Sequence, residues 1–220
     1  MLAIESKRIR NFRLKIAKEI PKFPNDKATL KALSEKSLGS LFIDYFNWII
    51  RQIPSRQRKV IVEPTAYHDP RWKLHSKHIE PLLKKIEKGE DLTAYLSIKP
   101  HSRGYTPEAS KIGVDRWSDK DMLLNIMGYH HFHLQAAPMR SNDMIFAEVT
   151  RETCKIIGLF NHQVFEAPQL NSPLNDEQMG LWSIADQRSK LKSESGIGLD
   201  LGAASICYVF VNFYLIPSAL

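Results

Sequence analysis

Cysteine is nearly absent: the 220 residues hold two, Cys154 and Cys207, far apart and in no CxxC pair. A disulfide framework is thereby excluded, and a reducing compartment fits. Internal repeats and low-complexity tracts are missing too. With 43% hydrophobic and 25% charged residues the composition is that of an ordinary globular chain, not a disordered, collagenous or coiled-coil one. The first twenty residues, MLAIESKRIRNFRLKIAKEI, are charged from Glu5 onward and contain no apolar core, so they do not read as a secretory signal. Cytoplasmic residence is the expectation. Acidic charge is in deficit, 24 residues against 31 basic ones, giving +7 and a pI near 9.3. Such a balance favours polyanionic partners, nucleic acid before acidic membrane surfaces.

Long apolar runs are missing except at one place. Residues 202–220, GAASICYVFVNFYLIPSAL, carry no charge over about the length a bilayer requires, so a tail anchor has to be weighed. Asn212, Pro217, the β-branched and aromatic content and Asp200 just upstream favour a buried strand over about 206–216.

Length sets one domain with extensions, or two small ones. Residues 1–20 read as a basic amphipathic helix or arm stopped by Pro21 and Pro24. Leu30, Leu33, Leu38, Leu41, Phe42, Tyr45, Phe46, Ile49 and Ile50 recur at three and four residues, a helical signature that Gly39 either weakens or breaks in two. Its aromatic members, with Trp48, are expected in the core. KVIVEP reads as a strand, AYHDPRW as a loop, and 79–88 as a short helix stopped by Gly89. Residues 90–118 read as a long loop, and 119–127 as a helical turn or two capped by Ser118 or Asp119. Three apolar-rich runs follow, 129–134, 142–150 and 154–162, an antiparallel meander; 176–192 then reads as a helix. The expected class is α+β: a mostly helical, basic region over 1–120 and a small antiparallel sheet flanked by helices over 121–220.

Three of the eight histidines fall within four positions, at His130, His131 and His133. Strand side chains alternate faces, so His131 and His133 should lie side by side while His130 points away. The meander ends at His162, and its first turn holds Arg140. Paired imidazoles can serve as general base and acid, for instance in RNA cleavage through the 2′-hydroxyl, and a guanidinium suits the phosphate. No cofactor or metal is needed. Lys155, Arg103, His101 and Tyr129 are secondary candidates. The run Arg51, Arg56, Arg58 and Lys59, with Lys155, could carry phosphate contacts or simply end a solvated helix. GIGLDLG at 196–202 lacks the spacing of a phosphate-binding loop. His68, His75 and His78 read as solvated.

Other readings of the cluster stay open. Strand histidines often do no more than bond to their neighbours. His131, His133 and His162 could instead ligate a metal ion for hydrolysis. A non-catalytic nucleic-acid or protein-binding module, with the basic stretch after Trp48 as its surface, is the principal alternative to an enzyme.

The segment HFHLQAAPMRSNDMIFAEVTRETCKIIGLFNHQVFE, within residues 129–166, resembles the C-terminal half of RelE/ParE-type toxins. In that family an arginine precedes a strand, a turn follows, and the next strand ends in a histidine-containing segment and an aromatic residue; Arg140, His162 and Phe165 occupy those places. The resemblance spans about 35 of 220 residues. This chain is more than twice the usual length of such toxins, and the histidine-rich strand is not part of their pattern. DPRW, DLTAYL and the 117–150 region also resemble an uncharacterised group of bacterial proteins found beside mobile elements. The first resemblance implies a metal-independent ribonuclease, RNA or the ribosome as partner, and a neutralising antitoxin. It implies roles for Arg140 and His162, while His131 and His133 follow from strand alternation.

Overall fold

The computed structural model describes residues 6–102, 104–107, 121–166 and 173–194. Arg103, Cys207 and the apolar stretch 202–220 lie outside them, so the anchor and strand readings of that stretch do too. Three helices come first: α1 (Lys7–Glu19), α2 (Lys27–Glu35) and α3 (Leu38–Ile49). Each is capped by a side chain that takes an orphan amide: Ser6 from Ile9, Asp26 from Thr29 and Ser37 from Ser40. The expected break in the second helical stretch therefore falls at Lys36 and Ser37, not at Gly39. Ile16, Ala17, Ile20, Leu33 and Leu41 close a small core with Tyr105. Of the aromatic stripe on α3, Phe42, Tyr45 and Trp48 are only partly buried and Phe46 is 54% exposed, so the expectation of a fully internal stripe is corrected. The narrow core between three short helices is filled by the aliphatic side chains.

Strand β1 (Lys59–Val62) follows, then α4 (Pro64–Tyr67), α5 (Pro70–Leu74) and α6 (Ser76–Lys88). The expected loop at AYHDPRW is thus two short helices. Pro64 and Pro70 occupy first-turn positions, where a missing N–H costs nothing, and Asp69 caps the amide of Arg71. α6 ends at Gly89 with φ +72°. A Cβ there would stand 2.3 Å from the Gln57 amide nitrogen. Gly89→Ala is accordingly expected to destabilise the protein by at least about 2 kcal/mol, combining the left-handed backbone with a clash that no side-chain rotation relieves, as read from urea midpoints.

A 3-10 turn at Thr93–Tyr95 and the short α7 (Lys99–Ser102) occupy part of the expected loop. α8 (Met122–Met127) is capped by Asp121. The meander then forms as expected: β2 (Tyr129–His133), β3 (Met144–Val149) and β4 (Thr153–Phe160), antiparallel in that order, followed by a 3-10 turn at His162–Phe165 and α9 (Asp176–Glu194). The class is α+β, but the sheet is mixed. β1 joins the outer edge of β4 in parallel, Lys59 opposite Thr153, so the strand order is β1-β4-β3-β2. The elements between β1 and β4 provide the long crossover a parallel pair needs. The sheet is therefore assembled across residue 120.

One sheet face carries Phe132, Ile145, Ala147, Cys154 and Ile156 against Ile79, Leu82 and Ile86 of α6. The other carries Tyr129, Met144, Phe146, Ile157 and Phe160 against Leu123 of α8, Val164 and Leu181 of α9. A register shift between Phe146 and Ala147 leaves Ile157 without a partner on β3, so that Ile156 and Leu159, three positions apart, face one core while Ile157 and Phe160 face the other. Among the described residues no helix is long and apolar enough to cross a membrane.

Candidate functional site

Strand alternation places His131 and His133 on the α9 face of β2, with ring centroids 6.1 Å apart. His130 points the other way, where its Nε2 donates to the Ile50 carbonyl at 2.9 Å. Chain reversal after β4 brings His162 to the same end of the sheet, 5.4 Å from His133. The three imidazoles form a line, His131, His133, His162, flanked by Phe146 and by Phe165, whose ring lies 4.9 Å from His131. Exposure is uneven along it, His131 being partly buried. His133 is only 4% exposed, whereas His162 lies on the surface.

The β2–β3 turn fixes the rings. The Nδ1 of His133 donates to the Ser141 carbonyl at 3.4 Å, and that of His162 to the Asn142 carbonyl at 3.0 Å and side-chain oxygen at 3.1 Å. Because a carbonyl oxygen only accepts, Nδ1 carries the proton in each neutral ring and Nε2 keeps the lone pair. On the far side, Nδ1 of His131 lies 3.4 Å from the Asp121 carboxylate, whose other oxygen accepts from the Leu124 amide at 3.0 Å.

Burial pushes the His133 pKa down to about 4, with the nearby charge of Arg140 adding to the shift. His131 is also held below its ordinary value by burial, against the attraction of Asp121 and with the help of His162, Arg140 and Lys99. Both rings are thus neutral at pH 7. Arg140 donates Nη2 to the Leu96 carbonyl at 2.7 Å, which anchors a cation beside the line.

A second polar cluster, not anticipated from the sequence, stands at the same end. Arg71 grips Asp69 with Nε (3.0 Å) and Nη2 (2.8 Å), Glu177 with Nη1 (2.7 Å) and the Leu159 carbonyl with Nη2 (2.7 Å). Asp143 lies 3.9 Å from Arg71 and takes a 2.8 Å bond with Nε2 of His75. The expectation that His75 is merely solvated is corrected: it holds the residue next to Asn142, in the turn that orients His133 and His162. Burial by itself would raise the Asp69 carboxyl, yet its bonds to Arg71 bring it below the ordinary value. Removing the guanidinium leaves two inward carboxylates without their shared cation. Arg71→Ala should therefore cost about 3 kcal/mol in urea denaturation at pH 7.

The expected nucleic-acid contacts do not converge. Arg58 is buried and spends its donors on the carbonyls of Thr150 (2.8 Å), Pro54 (3.1 Å) and Arg56 (3.1 Å), which leaves it no role on the surface. Arg51 is 6% exposed and lines a cavity. Lys155, on the α9 face of β4, pairs with Glu63 at 3.8 Å. Arg56 and Lys59 remain exposed at the start of β1. Tyr129 is buried, with Arg188 over its ring. Among the described residues no three of His, Cys, Asp and Glu converge as a metal ion requires, and His131, His133 and His162 are all described.

No family model, curated protein or solved structure matches the chain.

Proposed function

We propose that this protein is a metal-independent endoribonuclease of the bacterial cytoplasm, related in its sheet to RelE-type toxins and, like them, held in check by an antitoxin. One observation carries the reading: a line of three imidazoles that ends in an exposed, oriented ring, with the charges of Arg140 and Lys99 bearing on it. The exposure of His162 gives the roles a different assignment from the sequence expectation. His162, at the surface, takes the proton of the RNA 2′-hydroxyl at Nε2. The freed oxygen attacks phosphorus, giving the 2′,3′-cyclic phosphate, and the P–O5′ bond breaks. The proton then passes from the imidazolium to the departing 5′-oxygen, which regenerates the neutral ring. His133 and His131, both uncharged, add no positive charge of their own to the site. Arg140 and Lys99 favour the charge that builds on the phosphate oxygens.

The test is incubation of the purified protein with labelled total RNA and with ribosomes, with and without EDTA, beside the His162→Ala variant. Cleavage that survives EDTA and is lost in the variant is the expected result. Salt-sensitive RNA retention without products in any lane would replace the enzyme with a binding module. Loss of cleavage in EDTA would instead require a metal.

A further inference from the structure

On the other side of Arg140 lies a cavity of about 260 Å³ between the end of α3 and the 93–101 segment. Arg51, Ser97 and His101, with Gln52 and Thr93, supply its polar lining, and Ile49, Ile53 and Leu96, with Pro54, its apolar wall. No carboxylate is among its described lining residues. Asp91, whose charge bears on His101, is engaged at the rim by the Thr93 hydroxyl at 2.6 Å and amide at 2.9 Å. A guanidinium with a hydroxyl and an imidazole in one cavity is a donor set that recognises phosphate, and an apolar wall suits a base.

The cavity adjoins the site already described through Leu96. Leu96, in its wall, gives its carbonyl to Arg140, and Lys99, between Ser97 and His101, bears on His131. We propose that this cavity is a nucleotide subsite, with a phosphate on Arg51, Ser97 and His101 and a base against Ile49, Ile53 and Leu96. This rests on the ribonuclease reading, and it places the nucleotide next to the phosphate that is cleaved. It also explains how a guanidinium turned away from the surface can still serve recognition.

Calorimetric titration of the full chain with the four nucleoside 3′-monophosphates, and with inorganic phosphate, tests the pocket without requiring cleavage. At least one nucleotide should bind tenfold or more tightly than phosphate. Ser97→Asp, which sets a like charge on a half-exposed wall position, should weaken it at least tenfold, as should Arg51→Gln; His101→Ala, at an exposed position, should weaken it severalfold. Circular dichroism melts verify folding, and Ser97→Asp and His101→Ala keep the test open if the buried Arg51 variant does not fold. In the second arm the same variants should raise the KM for a single-stranded RNA oligonucleotide in step. Nucleotide binding indifferent to these substitutions, or absent, would overturn the proposal. So would weakened mononucleotide binding with unchanged KM, which would mark a site for free nucleotide. Failure of cleavage alone, with nucleotide binding intact and sensitive to Ser97→Asp, would overturn the ribonuclease reading and its placement of the subsite.

Discussion

Replacing His162 by alanine is expected to slow RNA cleavage by about 10²- to 10⁴-fold while leaving the urea midpoint within about 0.5 kcal/mol of the unsubstituted protein. The ring is exposed, so its removal opens no cavity, and its Nδ1 bonds to Asn142 and its ring contacts with His133 and Phe165 are the interactions lost from the fold. The kinetic effect follows from position: among the three aligned imidazoles, His162 is the one whose Nε2 meets a polymer without the sheet being opened. Asn142→Ala should give a smaller defect, chiefly in kcat, because the ring loses one of its two Nδ1 acceptors while the backbone carbonyl still holds its tautomer. Single-turnover rates on a defined oligonucleotide separate the two. A His162→Ala protein cleaving at the full rate would remove His162 from the mechanism and return attention to His131 and His133.

The second large effect concerns acid. The His133 pKa falls from 6.5 when unfolded to about 4 in the folded protein. Between those values the unfolded chain binds a proton that the folded chain refuses, so stability rises with pH across that window. Its contribution is complete above about pH 6.5 and is lost progressively toward pH 4. A shift of this size corresponds to about 3 kcal/mol over the whole window and about 2 kcal/mol by pH 5. His130 and His131 are displaced in the same direction by burial and steepen the loss. Asp69 behaves oppositely in origin: its depressed carboxyl protects the fold at neutral pH, and that protection goes only as pH drops below the ordinary carboxylate range. Urea midpoints at pH 7 and pH 5 measure the effect. His133→Phe, which keeps an uncharged ring in the same space, should flatten the difference by about 2 kcal/mol. An equally steep decline in that variant would show that His133 is not the group being titrated.

Much of the scaffold was legible because its signals are local. Period-two alternation in YHHFH put His131 and His133 together, and the spacing of Ile79, Leu82 and Ile86 before Gly89 marked α6 and its end. The misses share a different cause. Arg71 and Glu177 stand 106 positions apart, and His75 and Asp143 68 apart, so nothing near either partner distinguishes a clamped side chain from a solvated one. Arg58 looked like a surface charge because it sits in a basic run; its burial depends on the Thr150 carbonyl, 92 residues away. Likewise β1 shows its β-branched character but not its partner, since parallel pairing leaves no hairpin turn to read. DPRW did contain one usable sign, an Asp-Pro cap that would have indicated α5 and hence the placement of Arg71.

The parallel pairing of β1 with β4 has a temporal side. Lys59 waits for Thr153, 94 positions later (153 − 59), before its strand has a neighbour. At roughly 5–20 residues per second of translation, that is on the order of 5–20 s in which a nascent β1 has no sheet to join. His162 and Glu177 emerge later still. A nascent product truncated before β4 would contain α1 to α8 and the first strand but neither β4 nor His162, so under the proposed function incomplete translation would release fragments that cannot cut.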